Sequence, residues 1–280
     1  MKQWIKKYFR RGVLYTRFLL GSRLGVLLSK KGRVAMSKPV VWAHRGASGY
    51  LPENTLPAFQ KAIEMGAYGI ELDIHKTKDG QLVVIHDEKI DRTSNGLGYV
   101  RDYTLEELRK YNYNATMPEA CGYAEIPTMR EVFELIKPTD LHINIEIKNG
   151  VYFYEGIEED IIALTKEYDM EDRVIYSSFN HYSIMKVQEL DPDAHTAFLY
   201  MDGTLDMPEY GRDHGVEALH PALYNVQYPD YVEKCHKYGL KINSWTINSK
   251  QYMKLACEMG LDGIITNYPD TALKIVESYK

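Results

Sequence analysis

Eight short β-rich runs separated by helical patterns, an alternation of apolar and acidic residues along two of them, and a length of 280 residues predict an α/β fold. The closed form of that fold is a TIM (β/α)8 barrel, here with a small insertion after the second strand, and single barrels of this kind need about 250 residues. Strands alternating with helices favour a parallel sheet with helices packed outside it. A doubly wound open sheet is the weaker alternative.

Each element has a local reason. The first run, "VVWAH" (40–44), is apolar and β-rich, and the stripe Leu56, Phe59 and Ile63 behind it reads as a helix ending at Gly66. In the second run (68–74), Ile70, Leu72 and Ile74 alternate with Glu71, Asp73 and His75. In the third (141–148), Ile143, Ile145 and Ile147 alternate with Asn144, Glu146 and Lys148. A period of two sends the apolar set toward the outer helices and the polar set into the barrel. The runs 173–179, 195–200, 217–221, 241–247 and 262–267 supply the other five strands.

One run breaks the eightfold count. "LVVIHD" (82–87) follows the second strand after only Lys78-Asp79-Gly80-Gln81, too short for a crossover to a parallel neighbour, so it returns antiparallel. A hairpin centred on Asp79-Gly80 sets Asp73 opposite His86 and Glu71 opposite Glu88. Residues 88–125 then read as an insertion at the same rim, with a helix capped at Thr104-Leu105-Glu106-Glu107. Thr128-Met129-Arg130-Glu131 is a second capping box, opening the next barrel helix. No 20–50 residue repeat or low-complexity tract is present, which excludes solenoids.

Hydrophobic residues at 45% and charged residues at 26% are ordinary for a soluble globular protein. Cys121, Cys235 and Cys257 form no CxxC pair, which argues against a disulfide framework or zinc knuckle and fits a reducing compartment. The net charge of −5 is unevenly spread: residues 1–38 hold 11 Lys or Arg and no acid, leaving 23 basic against 39 acidic side chains in the remainder. Within that basic leader the apolar stretch 13–28 is interrupted by Arg17 and Arg23 and is too short for a clean span of about 20 residues. It suits contact with an anionic membrane surface; the alternative reading makes Met36 the natural start. The domain then covers 39–280. Nucleic-acid binding is not expected, because the body is acidic and lacks a basic patch interleaved with aromatics.

The inward set defines the chemistry. Unpaired carboxylates inside a barrel cost several kcal/mol or are neutralised, so Glu71, Asp73 and Glu146 at one end require a compensating positive charge. As hard oxygen donors they suit Mg2+ or Ca2+. Ion pairs are the other way to satisfy them, such as Glu146 with Lys148 or Lys76. His44 ends the first strand and His86 returns beside the second, and two imidazoles near a divalent cation suit phosphodiester cleavage, which moves one proton off a nucleophile and another onto a leaving alkoxide. Arg45 and Lys148 can hold phosphate oxygens. His142, His181, His195, His214 and His236 lack that context and read as surface or packing residues.

"HRGASGYLPENT", "ELDIHKTKDGQLVVIHDEKIDRTSNGLG", "IEIK", "SWTIN" and "DGIITNYPD" together resemble the glycerophosphodiester phosphodiesterases over about residues 39–275. The resemblance implies a TIM barrel that hydrolyses glycerophosphodiesters to sn-glycerol 3-phosphate and an alcohol. It further implies His44 as general base, His86 as general acid, and one divalent cation, Ca2+ or Mg2+, on Glu71, Asp73 and Glu146, with Arg45 and Lys148 on the phosphate. Glu53 would orient Arg45 or a metal-bound water, Asn54 or Thr55 would cap the first helix, and Trp245 would pack against glycerol or sit in the barrel core. The resemblance implies a small-molecule substrate and a cytoplasmic protein, peripheral at the membrane if the leader binds there. A phospholipase D-like activity on lysophospholipids and a non-catalytic phosphoester-binding module are the competing readings.

Overall fold

The computed structural model describes residues 38–279; residues 1–37, and with them the membrane-contact expectation, lie outside the described residues. Eight strands run parallel and close on themselves: β1 (Val40–His44), β2 (Gly69–Lys76), β4 (His142–Ile147), β5 (Val174–Ser178), β6 (His195–Tyr200), β7 (Ala218–Pro221), β8 (Lys241–Ser244) and β9 (Gly263–Thr266). β1 pairs with both β2 and β9, which completes a TIM barrel. Among the described residues, no helix is long and apolar enough to cross a membrane.

The alternation works as read. Ile70, Leu72 and Ile74 of β2 and Ile143, Ile145 and Ile147 of β4 are buried in one core with the helices outside the barrel. Helix α1 (Leu56–Glu64) contributes Phe59 to it and is capped by Thr55, whose side chain accepts from the Ala58 N–H. Helix α3 (Met129–Ile136), opened by the Thr128–Glu131 capping box, adds Val132, Phe133 and Ile136. The other barrel helices are α4 (Ile157–Glu167), α5 (His181–Leu190), α6 (Met207–Asp213), α7 (Tyr231–Lys237), α8 (Lys250–Met259) and α9 (Pro269–Ser278).

The barrel axis is polar, not aliphatic. Ser177 Oγ donates to Asn144 Oδ1 at 2.8 Å, and fully buried His220 sits between the side-chain amides of Asn144 and Asn243, at 3.4 and 2.9 Å. Burial holds the His220 imidazole neutral, its pKa lowered to about 3. This network fills the middle of the barrel beneath the C-terminal rim.

The hairpin after β2 forms with a different register. β3 covers only Leu82–Val84 and pairs Ile74 with Val84, His75 with Val83 and Lys76 with Leu82, one residue away from the expected pairing. The cause is the turn: Thr77 N donates to Gln81 O, and Gly80 takes φ +82°, giving a three-residue loop, Lys78–Gly80, instead of a two-residue one. Asp73 therefore faces Ile85, whose N–H donates to Asp73 O at 3.0 Å, and no Glu71–Glu88 pair forms. β8 also stops three residues earlier than expected, at Ser244, because Trp245 turns to hydrogen-bond with β7.

The insertion carries a small core of its own, in which Ile90, Val100, Leu108, Tyr113 and Ile126 pack on Val83 and Ile85 of the hairpin. Its helix α2 (Leu105–Leu108) is a single turn closed by the Thr104–Glu107 capping box.

Candidate active site

The first loop is shaped by backbone that few residues tolerate. Arg45 and Asn54 both adopt φ +55°, a left-handed conformation that costs a non-glycine residue on the order of 1 kcal/mol. Hydrogen bonds hold it: Arg45 N donates to Glu71 O at 2.8 Å and to Glu71 Oε2 at 3.1 Å, and Asn54 N donates to Arg45 O. Gly46, at φ +78°, lets the loop press on α1, since a Cβ there would lie 2.7 Å from the Ala58 carbonyl carbon.

Three buried carboxylates, Glu71, Asp73 and Glu146, bring one oxygen each to within 4.8 Å of one another. Adjacent strands set Asp73 directly beside Glu146. Burial, and then repulsion from Asp73 and Glu146, pushes the Glu71 carboxyl well above its ordinary range. Burial also raises Glu146, against the pull of Lys148. Asp73 is held well below its ordinary range because Lys148 and Arg45 together outweigh its burial. Lys148 Nζ stands 2.6 Å from Glu146 Oε1 and 3.1 Å from Asp73 Oδ1, so it forms the ion pair expected of it, whereas Lys76 turns away to Asp160. The compensation is incomplete. Two cations face three acids, and Glu71 stays uphill. A dication bound by hard oxygen donors fits that deficit.

The two histidines open onto the same small cavity of about 60 Å³, lined also by Arg45, Glu71, Glu146, Phe179 and Trp245. His44 Nδ1 lies 2.6 Å from Asn267 Oδ1, an oxygen that only accepts, so the proton sits on Nδ1 and bare Nε2 lies 3.9 Å from Glu71 Oε2. Burial, with the nearby Arg45 charge, lowers its pKa to about 3 and keeps it neutral. His86 is oriented from its own neighbour: Nδ1 lies 2.6 Å from Asp87 Oδ1. Its carbonyl is held in turn by His75 Nε2 at 3.1 Å. His86 reaches the cavity although its expected partner across the hairpin does not face it, because the chain leaves the ladder after Val84.

Glu53 is not among the converging carboxylates. It accepts from Arg45 Nη1 at 2.8 Å and from Arg92. Of the two candidate caps Thr55 takes that place, and Asn54 donates from Nδ2 to Asp73 Oδ2 at 2.8 Å. Trp245 lines the cavity, meets Phe179 edge-on at 5.5 Å, and donates from Nε1 to His220 O. Sequence reasoning passed over Asn267, Asp87, Arg92 and Phe179. Asp87 and Arg92 lay within the quoted "IHDEKIDRTSNG" and Asn267 within "DGIITNYPD", so motif membership was their available signal. Larger hollows exist among the described residues, including one of about 320 Å³ at the opposite mouth of the barrel lined by Trp42, His142 and Lys241, but Glu71, Glu146 and both histidines line the small one.

A closed barrel with a charged cavity at its C-terminal mouth has the anatomy of a barrel enzyme, and these side chains suit phosphoester chemistry. Comparison narrows the class: the model of the glycerophosphoryl diester phosphodiesterase family matches residues 44–271, and the chain belongs to that family, as a phosphoric diester hydrolase. It is 47% identical over 239 residues to the glycerophosphodiester phosphodiesterase of Caldanaerobacter subterraneus subsp. tengcongensis, covering 85% of this chain and 98% of that one. The enzyme of the same name from Bacillus altitudinis is 40% identical over 86% of this chain and 99% of its own. Among solved structures, an Oleispira antarctica phosphodiesterase in complex with the product sn-glycerol-3-phosphate superposes with a TM-score of 0.74 at 28% identity, over 86% of this chain and 97% of that one.

Proposed function

We propose that this enzyme hydrolyses small glycerophosphodiesters to sn-glycerol 3-phosphate and an alcohol, with Glu71, Asp73 and Glu146 holding one divalent cation, Ca2+ or Mg2+. The observation that carries the reading is the opening of His44 and His86 onto one cavity beside those three acids. The product bound to the Oleispira relative supports the substrate class.

A cation held by Glu71, Asp73 and Glu146 would supply positive charge opposite the phosphate. Arg45 and Lys148 bind phosphate oxygens. His44 Nε2, bare and neutral, takes the proton from the neighbouring glycerol hydroxyl as its oxygen attacks phosphorus. The bond from phosphorus to the alcohol oxygen breaks, and His86 gives that oxygen a proton, leaving a cyclic phosphate. Water then opens the ring, with the two histidines exchanging roles. Trp245 and Phe179 offer an apolar wall to the glycerol carbons.

The test compares glycerophosphocholine with lysophosphatidylcholine, each with and without chelator. The expected result is turnover of the first substrate that stops on metal removal and returns with Ca2+ or Mg2+. Activity surviving full removal sinks the cation assignment, and unchanged turnover in His86→Ala sinks the acid role. Preference for lysophosphatidylcholine would move the substrate class to lysophospholipids.

A further inference from the structure

We propose that Arg92, in the insertion, is a positioning residue that holds both working halves of the site at once, His86 through Asp87 and Arg45 through Glu53. The inference rests on the roles given above to His86 and Arg45.

Its geometry is a double fork. One edge of the guanidinium grips Asp87, with Nε donating to Oδ2 at 2.7 Å and Nη2 to Oδ1 at 3.1 Å. The other edge grips Glu53, with Nη1 donating to Oε2 and Nη2 to Oε1, both at 2.8 Å. Each carboxylate then touches a working side chain. Asp87 Oδ1 accepts from His86 Nδ1 at 2.6 Å, and Glu53 Oε1, already shared with Arg92, accepts from Arg45 Nη1 at 2.8 Å. The chain Arg45–Glu53–Arg92–Asp87–His86 thus spans from the β1 loop to the end of the hairpin. Only a planar guanidinium serves two bidentate partners on two edges; an ammonium is a single point charge.

The loop that presents Arg92 is itself fixed. Ile90 is buried in the insertion core, and Ser94 binds back to the Ile90 carbonyl through both its N–H and its hydroxyl. Gly96 N in turn donates to Ser94 Oγ at 3.0 Å. Asp91 Oδ1 accepts from Gly98 N at 2.7 Å. Arg92 therefore bridges the β1 loop and the segment after β3, which are linked in the sheet only through β2 and not by pairing with each other. Its own charge is retained while both carboxylates stay ionised: His86 and Arg92 hold Asp87 below the usual carboxylate range, and Arg92 and Arg45 do so for Glu53 against its burial.

The experiment measures kcat and KM of the full-length protein for glycerophosphocholine at saturating divalent cation, with thermal melting alongside. Partners of this kind contribute about 10- to 100-fold to activity. Arg92→Ala should lower kcat by that factor and raise KM severalfold while melting within a few degrees of the parent. Asp87→Asn should reproduce mainly the kcat loss, and Glu53→Gln mainly the KM rise. Arg92→Ala combined with Asp87→Asn should be no worse in kcat than the poorer single variant, since both cut the same connection. Millimolar guanidinium should restore part of the kcat of Arg92→Ala and none of that of His86→Ala, whereas Arg92→Lys should recover little. Parent-like kinetics in Arg92→Ala, or full additivity with Asp87→Asn and no guanidinium rescue, overturns the clamp while leaving the roles of His86 and Arg45 intact. Unchanged kcat in His86→Ala overturns those roles instead.

Discussion

A histidine at a strand end becomes a base only if something chooses its tautomer. For the base role proposed for His44, Asn267, contributed by the loop after β9 and 223 residues distant in sequence, makes that choice by accepting from Nδ1. Replacing Asn267 with alanine should lower kcat by about 10- to 100-fold with KM and melting temperature near the parent's, because the substrate's contacts stay in place while the imidazole is freed to rotate. A fall in KM-based binding with kcat intact would show Asn267 touching substrate instead. His220 is kept neutral by burial as well, with its pKa at about 3. Because that value lies below the unfolded chain's, the unfolded state takes up the proton first, and acid favours unfolding. Between pH 6.5 and 3 this residue should withdraw up to about 1.4 kcal/mol of stability per pH unit. Urea titrations from pH 4.5 to 7 should show a shallower acid slope in His220→Gln; parallel slopes would refute a neutral buried imidazole.

At the scale of elements, periodicity was legible and turns were not. The alternation in 70–74 and 143–147 fixed which side chains face inward, because a strand has one period and both faces are buried here. The hairpin register could not be read the same way, since "TKDGQ" is compatible with a two- or a three-residue loop and Gly80 decides between them only by its φ. Contacts such as Asn267 to His44 or Arg92 to Glu53 join residues 223 and 39 positions apart, and no local pattern encodes them. The β1 loop shows how tightly such joins are made. Gly46→Ala would drive a Cβ into Ala58 at φ +78° and should cost roughly 2–4 kcal/mol in urea unfolding, with activity lost before global unfolding. A loss below 0.5 kcal/mol would mean that the loop and α1 part easily.

The whole barrel carries an electrostatic imbalance at one end. Three buried acids face Lys148 and Arg45, and Glu71 bears the remainder. A cation that binds there adds stability as well as chemistry. At a concentration one hundred times its dissociation constant, it should contribute about 2.7 kcal/mol. For a chain of this size that is a rise of several degrees in melting temperature, measurable by calorimetry with Ca2+ or Mg2+ against chelator. Identical melting curves under all three conditions would remove the metal site.

The polar axis of the barrel has a consequence for how this enzyme can diversify. Asn144 belongs at once to the cavity lining and to the Ser177–Asn144–His220–Asn243 chain beneath it. A floor residue of the cavity cannot be exchanged without orphaning a buried amide or imidazole below, so the floor is inherited with the fold. Trp245 is tied to that interior only through the His220 carbonyl, and Phe179, on the loop after β5, has no side-chain group that could hydrogen-bond to it. Under the proposed function, a change of head-group preference would therefore be made from the loops downward, with the cavity floor kept.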